Sequence, residues 1–219
     1  MHVSELSDRT QDYLKVIWDI TDRSGGSAPL GEVARRTGQK TSTASEAVKR
    51  LAADGLLHHE RYAGVRLTAQ GEKLAVEMVR RHRLIETFLV RVLGYTWDEV
   101  HEDAEILEHA VSDRFMARID AHLNHPRRDP HGDPIPGAGG EVEELPGGHL
   151  TAVTEGEVVV EQVNDDDPGL LRYLAGHRIV PGARIEVLGP PVAGILRVRV
   201  GGVEVVLAEA SLGDIRVRR

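Results

Sequence analysis

Cysteine is absent from the 219 residues. That excludes disulfides, thiolate zinc sites and iron–sulfur clusters, so any metal must be held by His, Asp, Glu, backbone or water. No apolar run reaches the roughly 18 residues a membrane span needs, so no membrane partner is expected. The opening stretch MHVSELSDRTQDYLKVIW is charged and lacks the apolar centre of a signal peptide, which points to a cytoplasmic protein. There is no heptad pattern and no long-period repeat. HExxH is missing as well: His101 is followed by Glu102, Asp103, Ala104 and Glu105, which argues against a zincin-type hydrolase.

What is present divides unevenly. Residues 1–83 carry 14 Lys/Arg against 11 Asp/Glu, whereas residues 84–219 carry 13 against 24. A mildly basic front on an acidic rear fits a polyanion-binding head joined to a body with another task. The length and the 41% hydrophobic content support more than one core.

Apolar residues at Leu6, Tyr13, Leu14, Ile17, Trp18 and Ile20 follow helical spacing, with Ser7 placed to cap. PLGEVARRTG predicts a short second helix between Pro29 and Gly38. KTSTASEAVKRLAADG predicts a third, from Thr41 to Ala53, with Thr41, Ser42 or Thr43 able to cap it and Gly55 to stop it. LLHHERYAGVRLT reads as two short strands around a turn at Tyr62-Ala63-Gly64. Three helices and a hairpin in this order predict a winged helix-turn-helix over 1–74. A helix over roughly 70–93 and another over roughly 97–123 predict a helical domain over 75–125, whose apolar surplus also suits a two-fold interface. The Pro- and Gly-rich stretch 126–150 reads as a partly mobile linker. Five short alternating strands over 151–219 predict a small SH3-like β-barrel. The fold class is therefore mainly α with a small β module.

The densest chemistry lies in VHEDAEILEHAVSD, where Val100 to Asp113 hold two histidines and five carboxylates. Positions i, i+3 and i+4 share a helix face. Glu105, Glu108 and His109 have that spacing, and His101 lies one turn before Glu105. His82 and Glu86 repeat the i, i+4 pairing on the preceding helix. Acidic helix faces are commonly just solvated, and RRHRLIE can form i,i+4 ion pairs. Two stripes on successive helices, each mixing His and Glu, favour metal binding over that plainer reading.

Together VRRHRLIETFL, VHEDAEILEHAVSD and DPHGDPIPG resemble the diphtheria-toxin-repressor family of iron- and manganese-dependent transcriptional regulators, in its three-domain form, over nearly the whole chain. The resemblance implies a primary metal site of Asp12, Glu105, Glu108 and His109. It implies a second site of His82, Glu86 and His101, with a further ligand from NDDDPGLL, for which Asp167 is the first choice. The iron branch has Met at the position of Asp12 and Cys at that of Glu105. Two carboxylates here match the manganese branch, and hard oxygen donors suit Mn(II). Lys15 stands where the two-domain manganese regulators have a second carboxylate, and Asp129 where some relatives have Cys.

The resemblance implies a homodimeric, Mn(II)-activated repressor of metal-uptake genes that binds a double-stranded DNA operator and uses no small organic substrate. An Fe(II)-responsive regulator of the same fold is the alternative; a His/Glu metalloenzyme is the reading from another class. Thr41, Ser42, Thr43, Ser45 and Glu46 are of a size to reach base edges or phosphates. Lys40, Lys49 and Arg50, with Arg35 and Arg36 nearby, would mainly hold phosphate. Arg61 and Arg66 on the wing are further backbone candidates.

Overall fold

The structure is a computed structural model that describes residues 1–60 and 64–219. The turn expected at Tyr62-Ala63 and the wing residue Arg61 lie outside the described residues. The chain divides into two compact units. The first is Met1–His82 with Pro136–Glu141; the second is Arg83–Ile135 with Val142–Arg219.

In the first unit, helix α1 (Asp8–Ser24) starts at Ser7, whose side chain accepts from the Thr10 amide, and stops at Gly25 in the left-handed region. Helices α2 (Leu30–Arg36) and α3 (Thr41–Ala53) follow, then strands β1 (Leu57–Glu60) and β2 (Gly64–Leu67), paired antiparallel with Leu57 opposite Leu67. The Thr68 hydroxyl accepts from the Gly71 amide and opens α4 (Ala69–Phe88). Leu14, Ile17, Trp18, Val48, Leu51, Leu56, Leu74 and Met78 share one buried cluster. Gly71 cannot be replaced cheaply, because a Cβ there would meet the Leu56 carbonyl oxygen at 2.1 Å. This is the expected winged helix-turn-helix arrangement.

The second unit starts with the last turns of α4, which widen into a π-turn over Leu89–Leu93 and close at Gly94. The single helix expected over 97–123 is two. Helix α5 (Val100–Ala110) ends where Val111 turns extended, and α6 (Asp113–His122) starts behind Ser112, whose side chain accepts from the Phe115 amide. The Ser112 cap competes with helix continuation, which is why the apolar periodicity alone did not reveal the break. Leu84, Ile85, Leu89, Val100, Ala104, Met116, Ile119, Leu123 and Ile135 bury together.

The C-terminal part holds β3 (Gly148–His149), β4 (Gly156–Val163), α7 (Pro168–Gly176), β5 (Arg184–Val187), β6 (Ile195–Val200), β7 (Val203–Ala208) and β8 (Ile215–Arg218). They form an open six-stranded sheet in the order β3-β8-β4-β5-β6-β7, which corrects the expected closed barrel of five strands. Closure would need the two edges to pair. One edge, β3, is two residues long, and on the other the Val206 carbonyl accepts from the Tyr173 hydroxyl at 2.6 Å. Gly201 and Gly202, both at positive φ, supply the two-residue turn between β6 and β7.

The supposed mobile linker behaves differently at its start. Asp129, His131 and Ile135 are buried, although the segment has no helix or strand. A Cβ on Gly132 would sit 2.1 Å from the Glu161 carbonyl oxygen, so glycine serves close packing here and not flexibility.

Candidate metal centre and DNA-facing helix

On α3, burial of Ala44, Ala47, Val48 and Leu51 fixes which face points outward. Thr41, Ser42, Thr43, Glu46, Lys49 and Arg50 are exposed, as are Lys40 and Arg35, and Ser45 is half-buried. The helix is preceded by Lys40 at the cap position, with no side-chain cap hydrogen bond. The hydroxyls of Thr41, Ser42 and Thr43 are therefore not spent on capping. Lys49 Nζ lies 2.7 Å from Glu46 Oε1. Arg36 is tied to Asp19 at 3.1 Å, which makes it a brace between α2 and α1. Arg66 is exposed on β2.

Asp12, on α1, is half-buried. One turn later Lys15 is buried, and its Nζ stands 3.5 Å from Nδ1 of the buried His82. In the second unit, α5 presents Glu105, Glu108 and His109. Glu108 is 0% exposed, and its Oε1 lies 3.7 Å from His109 Nε2. A carboxylate this deep is costly to keep charged unless a cation or several donors face it.

A second gathering surrounds Glu86, which is 1% exposed. His101 Nδ1 lies 3.5 Å from Glu86 Oε1 and 3.1 Å from Asp165 Oδ2, and His101 Nε2 lies 3.5 Å from Glu105 Oε1. Burial works against the His101 imidazolium, but the hydrogen bonds to Asp165 and Glu86 outweigh it and push its pKa up to about 11. Burial would raise Asp165, yet its hydrogen bond with His101 holds it well below the usual carboxylate range. Asp167, the first choice from the sequence, instead accepts the Gly169 and Leu170 amides as the cap of α7. The Asp-Pro pair at 167–168 carries that cap signal in the sequence. Asp165, two residues earlier, is the carboxylate the fold brings to His101.

Sequence reasoning noted Asp129 only as a departure from relatives that have Cys there, and it did not name His131. His131 Nδ1 lies 3.7 Å from Glu86 Oε2, and its Nε2 lies 2.6 Å from the Trp97 carbonyl oxygen. Burial opposes charge on His131, but Glu86 and Asp129 push its pKa up to about 10. Burial, then repulsion from Asp133 and Glu86, raises Asp129. The sequence signals for this layer were the DPHG run and the Cys that some relatives have at Asp129, both inside a stretch read as linker.

The donors are all carboxylate oxygen and imidazole nitrogen, and the chain has no thiol. Such a set fits hard or borderline divalent cations.

Comparisons with known proteins agree with this layout. The family model for the iron dependent repressor N-terminal DNA binding domain matches residues 5–65, that for the iron dependent repressor metal binding and dimerisation domain matches 68–137, and the FeoA domain matches 149–219. The iron-dependent repressor IdeR of Mycobacterium leprae is 33% identical over 99% of this chain and 100% of its own length. A solved manganese-dependent transcriptional repressor in complex with manganese is 48% identical, with a TM-score of 0.90 over 95% of this chain and 98% of that one. The manganese regulator SloR is 34% identical, with a TM-score of 0.80 over 98% of this chain and 100% of its own.

Proposed function

The chain belongs to the iron-dependent repressor family and is a metal-dependent, DNA-binding transcriptional repressor, not an enzyme, and on that premise we propose that Mn(II) is its effector. The observation that carries this reading is the donor set: Asp12 and Glu105 supply oxygen at positions where sulfur would favour later, softer metals. The 48% identity to a manganese-dependent repressor supports it.

The proposed primary ligands are Asp12, Glu105, Glu108 and His109. The proposed second set is His82, Glu86 and His101, with Asp165 in the place the sequence assigned to Asp167. A bound Mn(II) supplies the positive charge that lets these carboxylates remain ionised together. The residues do the rest: α5 presents Glu105, Glu108 and His109 along one helix face. The metal can shift DNA affinity only by its differential affinity for the binding-competent state.

The operator is double-stranded DNA, reached by α3. Thr41, Ser42, Thr43 and Ser45 meet base edges or phosphate, Glu46 positions Lys49, and Lys40, Lys49, Arg50 and Arg35 hold phosphate. Arg36 acts through its brace to Asp19. The assembly is a homodimer: Val92, Leu93, Ile106, Leu107 and Phe115 leave an apolar surplus on the second unit that a two-fold partner would cover. Among the described residues no helix is long and apolar enough to cross a membrane. We place the protein in the cytoplasm, controlling metal-uptake genes.

The test is fluorescence anisotropy on DNA selected by repeated rounds of metal-dependent binding. Added Mn(II) should tighten binding and a chelator should reverse it; unchanged affinity in both sinks the reading. Fe(II) is the second candidate, favoured by the full-length similarity to iron-dependent repressors. Anaerobic titration with Fe(II) beside Mn(II) separates the two.

A further inference from the structure

Three arginines meet around one cavity on the C-terminal sheet. In the β4–β5 ladder Val159 stands opposite Arg184, and in the β4–β8 ladder the same Val159 stands opposite Arg218. Directly opposed residues project from the same face of a sheet, so both arginines leave the side that carries Val159. Neighbouring strands lie about 4.8 Å apart, which sets the two arginine backbones roughly 10 Å from one another with Val159 between them. Arg128 and Gly132 bound the end of this row. A Cβ on Gly132 would sit 2.1 Å from the Glu161 carbonyl oxygen, so their segment lies directly on β4. These residues line a cavity of about 300 Å³, at the small end of ligand pockets.

The lining charges do not cancel. Three are cationic, and two, Asp129 and Glu161, are anionic. Glu161 takes the Nε of Arg218, which leaves the two terminal nitrogens of that arginine for another acceptor. Arg128 reaches Glu143 at 3.2 Å and the Gly132 carbonyl at 3.4 Å. The Asp129 carboxylate is turned elsewhere: Oδ1 accepts the His131 and Asp133 amides, and Oδ2 faces the Arg83 guanidinium at 3.8 Å. Arg184 is exposed, and its guanidinium has no hydrogen bond or ion pair among the described residues. The surroundings are not basic in general, since residues 84–219 carry 13 Lys/Arg against 24 Asp/Glu. Arginines on a sheet face are commonly just solvated or held in surface ion pairs. A concave, net-positive lining with one uncommitted guanidinium departs from that plainer arrangement.

We propose that this cavity binds a small oxyanion, a phosphate or carboxylate group, gripped by Arg184 and Arg218 across Val159 with Arg128 at its end. The guanidinium is a planar fork of donors whose geometry matches two oxygens of one such group. The cavity lies wholly within the second unit, and the proposal depends on neither the metal assignment nor DNA binding.

The test is isothermal titration of the full, metal-free chain with sodium phosphate and, separately, with sodium citrate, at an ionic strength held constant with potassium chloride. Saturable binding of at least one of the two, at one site per subunit, is expected, and the anion that binds decides between a phosphoryl and a carboxyl ligand. Arg184→Gln should weaken it by about 10-fold or more, because a hydrogen bond to a charged group is lost. Arg184 is exposed, so the variant should fold as the wild type does. Crystals soaked in sodium selenate should give an anomalous selenium peak between Arg184 and Arg218. Absence of saturable heat with either anion, equal affinity in Arg184→Gln, or a selenate peak only elsewhere overturns the site. Displacement of the bound anion by a short DNA duplex would give the cavity to nucleic acid and overturn the small-ligand reading.

Discussion

Helix α3 keeps its apolar residues inside and its chemistry outside, whereas the segment from Asp129 to Pro136 has no regular structure and buries its chemistry. The difference follows from how each satisfies its backbone. In α3 the helix ladder consumes the peptide groups, so Thr41, Ser42, Lys49 and Arg50 are left available to a large, hydrated polyanion. In the irregular segment there is no ladder. Asp129 accepts two amides, and Arg83 donates to the Pro134 carbonyl at 2.6 Å. Side chains there hold the fold and frame the proposed metal donors together. Substitutions on α3 should therefore change DNA binding with little loss of stability, and substitutions around Asp129 should change both.

Arg83→Ala is expected to give the largest effect. It strips the buried Asp129 and the half-buried Asp133 of a cation and the Pro134 carbonyl of a donor, and should cost about 3–5 kcal/mol of unfolding free energy, read by denaturant titration. A loss under about 1 kcal/mol would mean that the segment does not depend on its side chains. Glu108→Ala comes next. With the fold kept by circular dichroism, Mn(II)-stimulated DNA affinity should fall at least about 100-fold, the upper end of what a mere outer-shell partner costs. A wild-type metal response from this variant would refute the ligand assignment.

Two nearby aspartates sharpen the contrast between a half-buried donor and a surface cap. Asp167→Ala should cost about 1 kcal/mol of stability by removing the α7 cap and leave metal stoichiometry unchanged. Asp165→Ala should lower metal occupancy at His101 instead, as counted by equilibrium dialysis. If the two outcomes were exchanged, the sequence's preference for Asp167 would be restored. The smallest change is Arg50→Ala on α3. It should leave the melting curve in place, weaken DNA binding evenly across sequences, and reduce the slope of log affinity against log salt by about 0.9. An unchanged slope would take Arg50 off the phosphate backbone.

Much of the fold could be read from periodicity and capping chemistry. Ser7, Gly25 and the stop of α3 at Gly55 follow from local rules, because helix ends depend on groups a few residues apart, whereas Lys40 and not Thr41, Ser42 or Thr43 stands at the cap of α3. The break between α5 and α6 was missed because Val111 and Ser112 interrupt the backbone without interrupting the apolar spacing. The barrel was overcalled because alternation identifies strands but not whether the first and last of them pair. The segment after Pro126 was read as linker because Pro and Gly report only the absence of regular structure, not exposure.

Residue types and spacing by themselves determined the donor inventory: carboxylates and imidazoles at helical intervals, no thiols, and a basic, hydroxyl-rich helix ahead of them. Those are properties of composition and of the 3.6-residue turn, which need no tertiary contact. Which of Asp165, Asp166 and Asp167 meets His101, and that His131 stands behind Glu86 with its Nε2 on the Trp97 carbonyl, only the folded chain decided. Such pairings join residues dozens of positions apart, and long-range packing, not local preference, sets their distances.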